Sequence, residues 1–274
     1  IYEEQARAGA EREARVLAHL AARGVPTPAP LPRRDGASVG EIAGKPAALF
    51  PWVEGEMLCQ RAVTGRAAEA VGVALARIHV AGHAPDAPLD AGRFGPEELA
   101  ARCDRVASSS DPEARALAGP LREAVLAIAR TRRQDVPAGL IHGDLFRDNV
   151  LWARRDAASA AEPWTIAALL DFESAHHGPF AYDLAVTMLS WSYGAALDTN
   201  VARAIVRGYQ SVRELTAADR DVLYDEAILA ALRFTITRIT DDAIRVGKRW
   251  QRFVERREAI ERLGRGGLAR ALGL

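Results

Sequence analysis

The chain has 274 residues, 49% of them hydrophobic and 26% charged, which is typical of a globular protein with a sizeable core or two lobes. Lysine plus arginine and aspartate plus glutamate each number 36, so the formal net charge is zero. The charge balance therefore gives no indication of a nucleic-acid or anionic-membrane partner. No apolar run reaches the ~18 residues that span a bilayer, and the chain does not open like a signal peptide. Its two cysteines, Cys59 and Cys103, lack metal-ligand spacing. We therefore expect a cytoplasmic protein.

The first part of the chain is predicted to contain one helix and one hairpin. Residues 4–23 carry apolar side chains on one face and charges elsewhere, which predicts an amphipathic helix that ends at Gly24. Residues 25–32 are proline-rich and therefore extended. Residues 38–42 and 46–53 predict two strands joined by a tight turn.

After residue 55 the pattern is mostly helical. Apolar residues recur at helical spacing in seven segments: 66–79, 97–107, 113–130, 182–191, 201–209, 218–246 and 250–263. Two strand-like segments, 140–151 and 164–171, interrupt them, and the alanine-rich stretch 154–162 predicts a surface loop. This order of elements predicts an α+β chain.

The strand-like segment from Leu140 to Leu151, LIHGDLFRDNVL, also carries the chemistry. It sets Asp144 and Asn149 five residues apart between apolar runs, and Asp171 closes a later apolar run. Phosphoryl transfer from Mg·ATP to an alcohol needs one Asp to accept the hydroxyl proton, with an Asn and a second Asp as metal ligands. The pattern predicts a kinase site in which Asp144 is the base and Asn149 and Asp171 hold Mg²⁺. A solvated turn is the alternative.

The sequence HGDLFRDNVL resembles the catalytic loop of the aminoglycoside phosphotransferase and choline kinase superfamily, and it looks most like the homoserine kinases within it. Further matches are Leu-Asp-Phe at 170–172, Ala-Tyr-Asp-Leu-Ala-Val at 181–186 and Ala-Leu-Arg-Phe at 231–234. The resemblance implies a protein-kinase-like, two-lobed α+β fold. Residues 1–54 would be a truncated N-terminal β lobe with the hinge, and residues 55–274 a helix-rich C-terminal lobe for catalysis and substrate.

The resemblance implies ATP as co-substrate and a small hydroxyl-bearing acceptor, an amino acid and in first place homoserine. An aminoglycoside, choline or another amino alcohol stays open as the acceptor, because residues 172–178 depart from the family's usual aromatic, cysteine-containing segment. A remnant that binds a nucleotide without catalysis is the second alternative.

The resemblance also implies where the nucleotide binds. The hinge residues would be Phe50, Pro51, Trp52 and Val53, and Glu13 would be the helix glutamate that pairs with a strand lysine. Kinases of this kind begin with several strands, a loop over the phosphates and that lysine. This chain begins at Ile1 without them, so we expect a piece of a longer chain, or else a degenerate enzyme. In either case, the chain as written should bind ATP poorly.

The remaining candidates support the site or select the acceptor. Arg147 on the catalytic loop would touch phosphate or substrate, or else form a surface ion pair. The resemblance implies structural support from His142 and Asp183. It also implies a substrate site on one long helix, since an amino acid needs a cation for its carboxylate and an acid for its ammonium: Arg233, Arg238, Asp241 and Asp242. An exposed ion pair between Arg238 and Asp242 is the alternative. His176 and His177 predict a polar loop rather than a metal site.

Overall fold

The computed structural model describes residues 1–3, 5–82, 89, 92–154, 164–241 and 250–274. Within these residues the helices are α1 (Arg7–Ala22), α2 (Gly65–Ala81), α3 (Pro96–Ala107), α4 (Pro112–Ala116), α5 (Ala118–Thr131), α6 (Phe180–Ser192), α7 (Thr199–Gln210), α8 (Ala217–Thr240) and α9 (Gln251–Leu272). The strands are β1 (Gly40–Ile42), β2 (Lys45–Ala47), β3 (Ala138–Ile141), β4 (Val150–Arg154), β5 (Trp164–Leu169) and β6 (His176–Pro179).

The strands form three antiparallel pairs rather than one sheet: β1 with β2, β3 with β6, and β4 with β5. The β3–β6 pair places Ile141 opposite His176, and the β4–β5 pair places Val150 opposite Leu169. Because β3 ends at Ile141 and β4 begins at Val150, the eight-residue catalytic loop 142–149 joins the two pairs.

Several predicted boundaries are wrong. The polar loop expected at His176 and His177 is instead part of strand β6, which follows a short 3₁₀ helix, Phe172–Ser174. Strand β2 ends at Ala47 rather than at residue 53. The helix expected at 113–130 is divided at Leu117. The helix expected at 250–263 ends as predicted at a kink at Gly264 (φ 64°), and a further helical segment then continues to Leu272. Most of the alanine-rich stretch 154–162 and the end of the helix expected at 218–246 lie outside the described residues.

Helix α6 lies at the centre of the molecule. Every residue from Ala181 to Ser192 is buried, as expected for a helix that is apolar on all sides. A single hydrophobic cluster joins α6 to Leu17 of α1, Leu75 of α2 and Leu232 of α8. Because Asp183 and Trp191 belong to α6, the core itself can hold the functional loop in place.

Helices α2 and α7 approach closely through two glycines. A Cβ atom at Gly72 would lie 2.0 Å from the carbonyl oxygen of Ile205, and one at Gly208 would lie 2.0 Å from that of Glu69. Only glycine allows this contact, which sets the position of α2 and of the buried His79 on it.

Among the described residues, no helix is both long enough and apolar enough to cross a membrane. The division of the chain at residues 54 and 55 stays a prediction.

Candidate functional site

Two side chains of α6 form hydrogen bonds with the backbone of the catalytic loop. The carboxylate of Asp183, which is fully buried, accepts hydrogen bonds from the backbone N–H groups of His142 and Gly143, both at 2.8 Å. The indole Nε1 of Trp191 donates to the carbonyl oxygen of Leu145 at 2.9 Å. These bonds fix the backbone on both sides of Asp144, so the predicted supporting role of Asp183 agrees with its geometry.

Asp183 is linked further to α2 and α7. Nε2 of His79 lies 3.0 Å from the carboxylate of Asp183, and Nδ1 of His79 lies 2.7 Å from the hydroxyl of Tyr209. Burial would raise the pKa of Asp183, but the hydrogen bonds from His79 and the loop backbone outweigh it and lower that pKa below its usual value. Burial lowers the pKa of His79. The pair is thus a neutral imidazole that donates to a carboxylate, with Tyr209 donating to the other ring nitrogen.

His142 is fully buried, and both of its ring nitrogens form hydrogen bonds. Its Nε2 donates to the carbonyl oxygen of Leu170 at 3.0 Å, and its Nδ1 accepts from the N–H of Asp144 at 3.3 Å. Its ring also packs on Phe172, with the ring centres 4.4 Å apart. His142 therefore ties the catalytic loop to the segment that carries Asp171, and its geometry favours the predicted structural role over that of a base.

Asp144 contacts a buried arginine that the sequence had suggested as a substrate ligand. Nη2 of Arg233 lies 2.5 Å from Oδ1 of Asp144, and Nη1 of Arg233 donates to the carbonyl oxygen of Gly143. Arg233 is only 3% exposed and its guanidinium lies 3.8 Å from the ring centre of Phe94. Both Nη atoms are committed to the loop, so the geometry favours a positioning role for Arg233 over direct contact with an acceptor carboxylate.

Asn149 and Asp171 flank the same loop. Nδ2 of Asn149 donates to the carbonyl oxygen of Asp144 at 2.8 Å. Asp171 follows β5 with a left-handed backbone (φ 59°), which is uncommon for a residue other than glycine and marks a constrained position. Desolvation and then the negative charges of Glu173 and Asp144 raise the pKa of Asp171. A cation placed among these carboxylates would offset that repulsion.

The residues present fit a hard divalent cation that receives further oxygen ligands from phosphates and water. In the part of the chain that the structure describes, no three His, Cys, Asp or Glu side chains are grouped closely enough to hold a metal by themselves. Mg²⁺ in kinases typically has only a few protein ligands, because phosphates and water complete its coordination shell. The two predicted ligands, one carboxylate and one amide, match that number. His176 is buried, with Nδ1 2.7 Å from the carbonyl oxygen of Ser174, and it takes no part in this group.

The predicted hinge borders a cavity of about 460 Å³, which we call the hinge cavity. All five residues predicted to bind the nucleotide line it: Glu13, Phe50, Pro51, Trp52 and Val53. Asp171 lines it too, with apolar side chains from α1, β4 and β5: Leu17, Leu151 and Leu169. Two backbone contacts shape its wall: a ladder bridge pairs Glu56 with Trp152, and the N–H of Leu169 donates to Pro26 at 2.6 Å. The structure thus brings the hinge to the metal-ligand candidate Asp171.

Glu13 reaches the hinge cavity from α1. Burial, and then repulsion from Asp171 and Glu173, raises the pKa of Glu13 to about 7, although Gln5 donates a hydrogen bond to it at 3.0 Å. The positive charge of Arg93 lowers the pKa of Glu13, but by less than burial raises it.

A second cavity, of about 450 Å³, is lined in part by the catalytic loop, and we call it the arginine cavity. It is lined by Met57, Leu58, Cys59, Gln60, Phe146, Arg147, Asp148, Ser190, Arg238, Phe253 and Arg256. Met57 also lines the hinge cavity, so the two cavities adjoin at that residue. Two sequence candidates, Arg147 and Arg238, are brought together here.

The other substrate candidates lie elsewhere. Asp241 accepts hydrogen bonds from Arg102 at 2.5 Å and Arg105 at 3.1 Å, so it joins the end of α8 to α3. It does not line the arginine cavity as described. Asp242 lies outside the described residues. Substrate contact by Asp241 and Asp242 stays a prediction.

Sequence reasoning missed Arg256 and His79. In the sequence, Arg256 occupies a polar position of the predicted helix 250–263. Residue type alone therefore predicts one more exposed arginine on α9. His79 ends a predicted helix and had no recognisable partner. Asp183, on which His79 acts, lies 104 positions further along the chain, and no local signal indicates a pairing at that distance.

The chain is similar to known proteins over most of its length. A model of the phosphotransferase enzyme family matches residues 1–225. The homoserine kinase of Rhizobium etli is 36% identical over 234 residues, which cover 82% of this chain and 67% of the relative. The homoserine kinase of Acidiphilium cryptum is 35% identical over 228 residues, covering 82% of this chain and 68% of the relative.

Solved structures show the same fold at lower sequence identity. An amicoumacin kinase in complex with AMP-PNP, Ca²⁺ and amicoumacin superposes with a TM-score of 0.69 at 15% identity, covering 95% of this chain and 80% of its own. The Plasmodium vivax ethanolamine kinase gives 0.66 at 14% identity, covering 95% and 74%. These likenesses confirm the predicted protein-kinase-like α+β fold.

Proposed function

The chain belongs to the phosphotransferase enzyme family and is a small-molecule kinase, and we propose that it transfers the γ-phosphate of ATP to the hydroxyl of homoserine. The meeting of the two cavities at Met57 carries this proposal, because one holds the nucleotide candidates and the other adjoins the loop of Asp144. The identity of the acceptor is supported by relatives 34–36% identical to this chain that are named homoserine kinases.

In the proposed reaction, Asp144 accepts the proton of the acceptor hydroxyl. The hydroxyl oxygen forms a bond to the γ-phosphorus as the bond from that phosphorus to the β,γ-bridging oxygen breaks, and ADP carries away the electron pair. Such transfer depends mainly on positioning and charge neutralisation, so an aspartate without unusual basicity suffices. Arg233 holds the carboxylate of Asp144 in one orientation, and Asp183 holds the loop backbone.

The nucleotide is proposed to lie in the hinge cavity, with its base against residues 50–53 and its phosphates toward Asp171. Asn149 and Asp171 would hold Mg²⁺, which neutralises phosphate charge when bound. The apolar wall of Leu17, Leu151 and Leu169 suits a planar aromatic base.

An acceptor panel tests the proposal on the full-length protein. ATP labelled at the γ-phosphate is offered with L-homoserine, choline, ethanolamine or kanamycin, and the phosphorylated product is identified by ³¹P NMR and mass spectrometry. We expect O-phosphohomoserine as the main product, and loss of that product in Asp144→Asn. Transfer to one of the other acceptors with none to homoserine would overturn the proposed acceptor while leaving kinase chemistry in place.

A further inference from the structure

The arginine cavity carries an excess of positive charge. Among its lining residues that the structure describes, three are arginines and one is an acid: Arg147, Arg238, Arg256 and Asp148. The rest of the lining is neutral and partly aromatic, with Phe146 and Phe253 in the wall. A concave, partly apolar site with this charge favours a small anion over a cation.

Arg256 is the cavity residue with an unsatisfied donor. Its guanidinium is held by three aromatic rings, 4.5 Å from the ring centre of Phe253, 5.2 Å from Tyr193 and 5.5 Å from Phe234. Its Nε is buried and has no hydrogen-bond partner among the described residues. This buried edge of the guanidinium is therefore without a partner, while Arg256 as a residue lines the cavity.

The electrostatics of Arg256 lead to the same expectation. Desolvation, and then the positive charges of Arg147, Arg238 and Arg252, lower the pKa of Arg256 to about 10. An anion between these guanidinium groups would offset their mutual repulsion, because it supplies the countercharge.

Arg147 is fixed at the wall of the same cavity. Its Nη1 donates to the side-chain oxygen of Gln60 and, at 3.0 Å, to the carbonyl oxygen of Ser190. Neither bond uses Nε or Nη2. A fixed guanidinium beside Arg256 suits a carboxylate, whose two oxygens match the fork of donors.

We propose that Arg256, with Arg147 beside it, binds the carboxylate of the acceptor substrate and so selects hydroxy acids over amino alcohols. This assignment rests on the proposed function, because it places the acceptor in the arginine cavity. Asp148 supplies the negative charge for the acceptor's ammonium group. Asp144 lies three residues before Arg147 on the same loop, and the proposal directs the acceptor hydroxyl toward it. An acceptor without a carboxylate would leave Arg256 without a countercharge, which is the basis of the selection.

Three acceptors distinguish the contribution of the acceptor's carboxylate from that of its ammonium group. L-homoserine carries both, 3-aminopropan-1-ol lacks the carboxylate, and 4-hydroxybutanoate lacks the ammonium. Dissociation constants are measured by calorimetry on the full-length protein with a non-hydrolysable ATP analogue and Mg²⁺, and KM and kcat are measured for each acceptor that is turned over. Arg256→Gln should weaken binding of the two carboxylates about 10- to 100-fold, the effect of losing a hydrogen bond to a charged group, and should leave 3-aminopropan-1-ol unchanged.

Two variants serve as controls. Arg256→Lys keeps the charge without the fork and should lose less affinity than Arg256→Gln. Arg262→Gln removes an exposed arginine of α9, which pairs with Glu258 at 3.8 Å, and should change none of the three acceptors. Thermal unfolding of each variant shows whether a loss of affinity comes with a loss of stability.

The outcomes distinguish this site from the proposed function. Equal weakening for all three ligands, or a change in kcat alone, would overturn the carboxylate site and indicate packing or contact with the transferred phosphate. Phosphorylation of homoserine with an unaltered dissociation constant in Arg256→Gln would overturn the site and leave the function standing. Carboxylate binding that depends on Arg256 without any phosphate transfer to homoserine would support the site and overturn the function. Absence of both would overturn both.

Discussion

The guanidinium of Arg233 is hydrogen-bonded to Asp144 with Nη2 and Oδ1 2.5 Å apart, although the two residues lie 89 positions apart in the chain. The second Nη atom of Arg233 donates to Gly143, and Phe94 covers the guanidinium face at 3.8 Å. Helix α8 therefore fixes the orientation of the carboxylate that we propose as the base. Arg233 is the buried member of this pair, and a buried charge without a partner would be costly.

Arg233→Lys should lower kcat without weakening nucleotide binding. A lysine ammonium cannot hold Asp144 and Gly143 together as the guanidinium does, and misplacing a catalytic group by about 1 Å costs roughly 10²-fold in rate. Steady-state kinetics with homoserine should show this fall in kcat while KM for ATP stays within about twofold. Arg220→Lys, at an exposed position on the same helix, is the control and should behave as wild type. A rise in KM for homoserine with unchanged kcat would instead assign Arg233 to acceptor binding.

Asp144→Asn should abolish turnover while leaving the fold and Mg·ATP affinity nearly intact. The amide keeps the shape of the side chain but cannot accept the hydroxyl proton, and loss of a positioned base costs about 10²- to 10⁴-fold. Single-turnover rates and nucleotide titrations on the full-length protein measure the two quantities separately. A variant that kept more than about a tenth of the wild-type rate would exclude Asp144 as the base.

Sequence was sufficient for the parts of this site that are local. Asp144 and Asn149 lie on one loop between two apolar runs, and that spacing was enough to predict their meeting. The hinge residues 50–53 also line the cavity expected of them. These features depend on neighbours within a few residues or on a motif of fixed spacing.

What sequence did not provide depends on long-range packing. Residue type alone did not indicate that Arg233 would be buried against Phe94 rather than accessible to a substrate. The sequence predicts a polar loop at His176 and His177, yet pairing with β3 makes this segment strand β6 and buries His176. In both cases the tertiary partner decides the environment, and residue type alone does not name that partner.

Asp171→Ala should raise the Mg²⁺ requirement and remove most activity, and Asn149→Ala should show a milder version. Both side chains offer hard oxygen ligands, but only Asp171 brings a negative charge to a divalent ion. Rates measured across a Mg²⁺ titration decide this. Unchanged metal dependence in both variants would rule out the assignment.

Asp183→Asn should lower the free energy of unfolding by about 3 kcal/mol near neutral pH, the usual cost of breaking a buried charged network. Asp183 accepts from His79, His142 and Gly143, whereas an amide would turn a donor toward one of these donors. The network lowers the folded pKa of Asp183, net of burial, below the unfolded value of about 3.9. Its stabilisation is therefore present above that value and is lost as pH falls through the folded pKa.

Urea unfolding of wild type and Asp183→Asn, from pH 7 down to values below the unfolded pKa of about 3.9, measures this difference. The gap in free energy of unfolding between the two proteins should stay nearly full from pH 7 to about that value, and should narrow only as the pH falls further through the folded pKa. A gap that grew with acidity would mean that Asp183 is protonated in the folded protein.

Gly72→Ala and Gly208→Ala should each destabilise the protein by about 3 kcal/mol, since overpacking a close backbone contact forces the elements apart. The added Cβ would lie 2.0 Å from a carbonyl oxygen of the facing helix in either case. Because α2 carries His79, separation of α2 from α7 should also loosen Asp183 and lower kcat. Gly65→Ala, on the same helix α2 with no atom within 4 Å of its added Cβ, is the control and should be neutral or slightly stabilising. Wild-type stability in Gly72→Ala and Gly208→Ala would show that the helices can separate at little cost, and that the glycine contact does not set the position of His79.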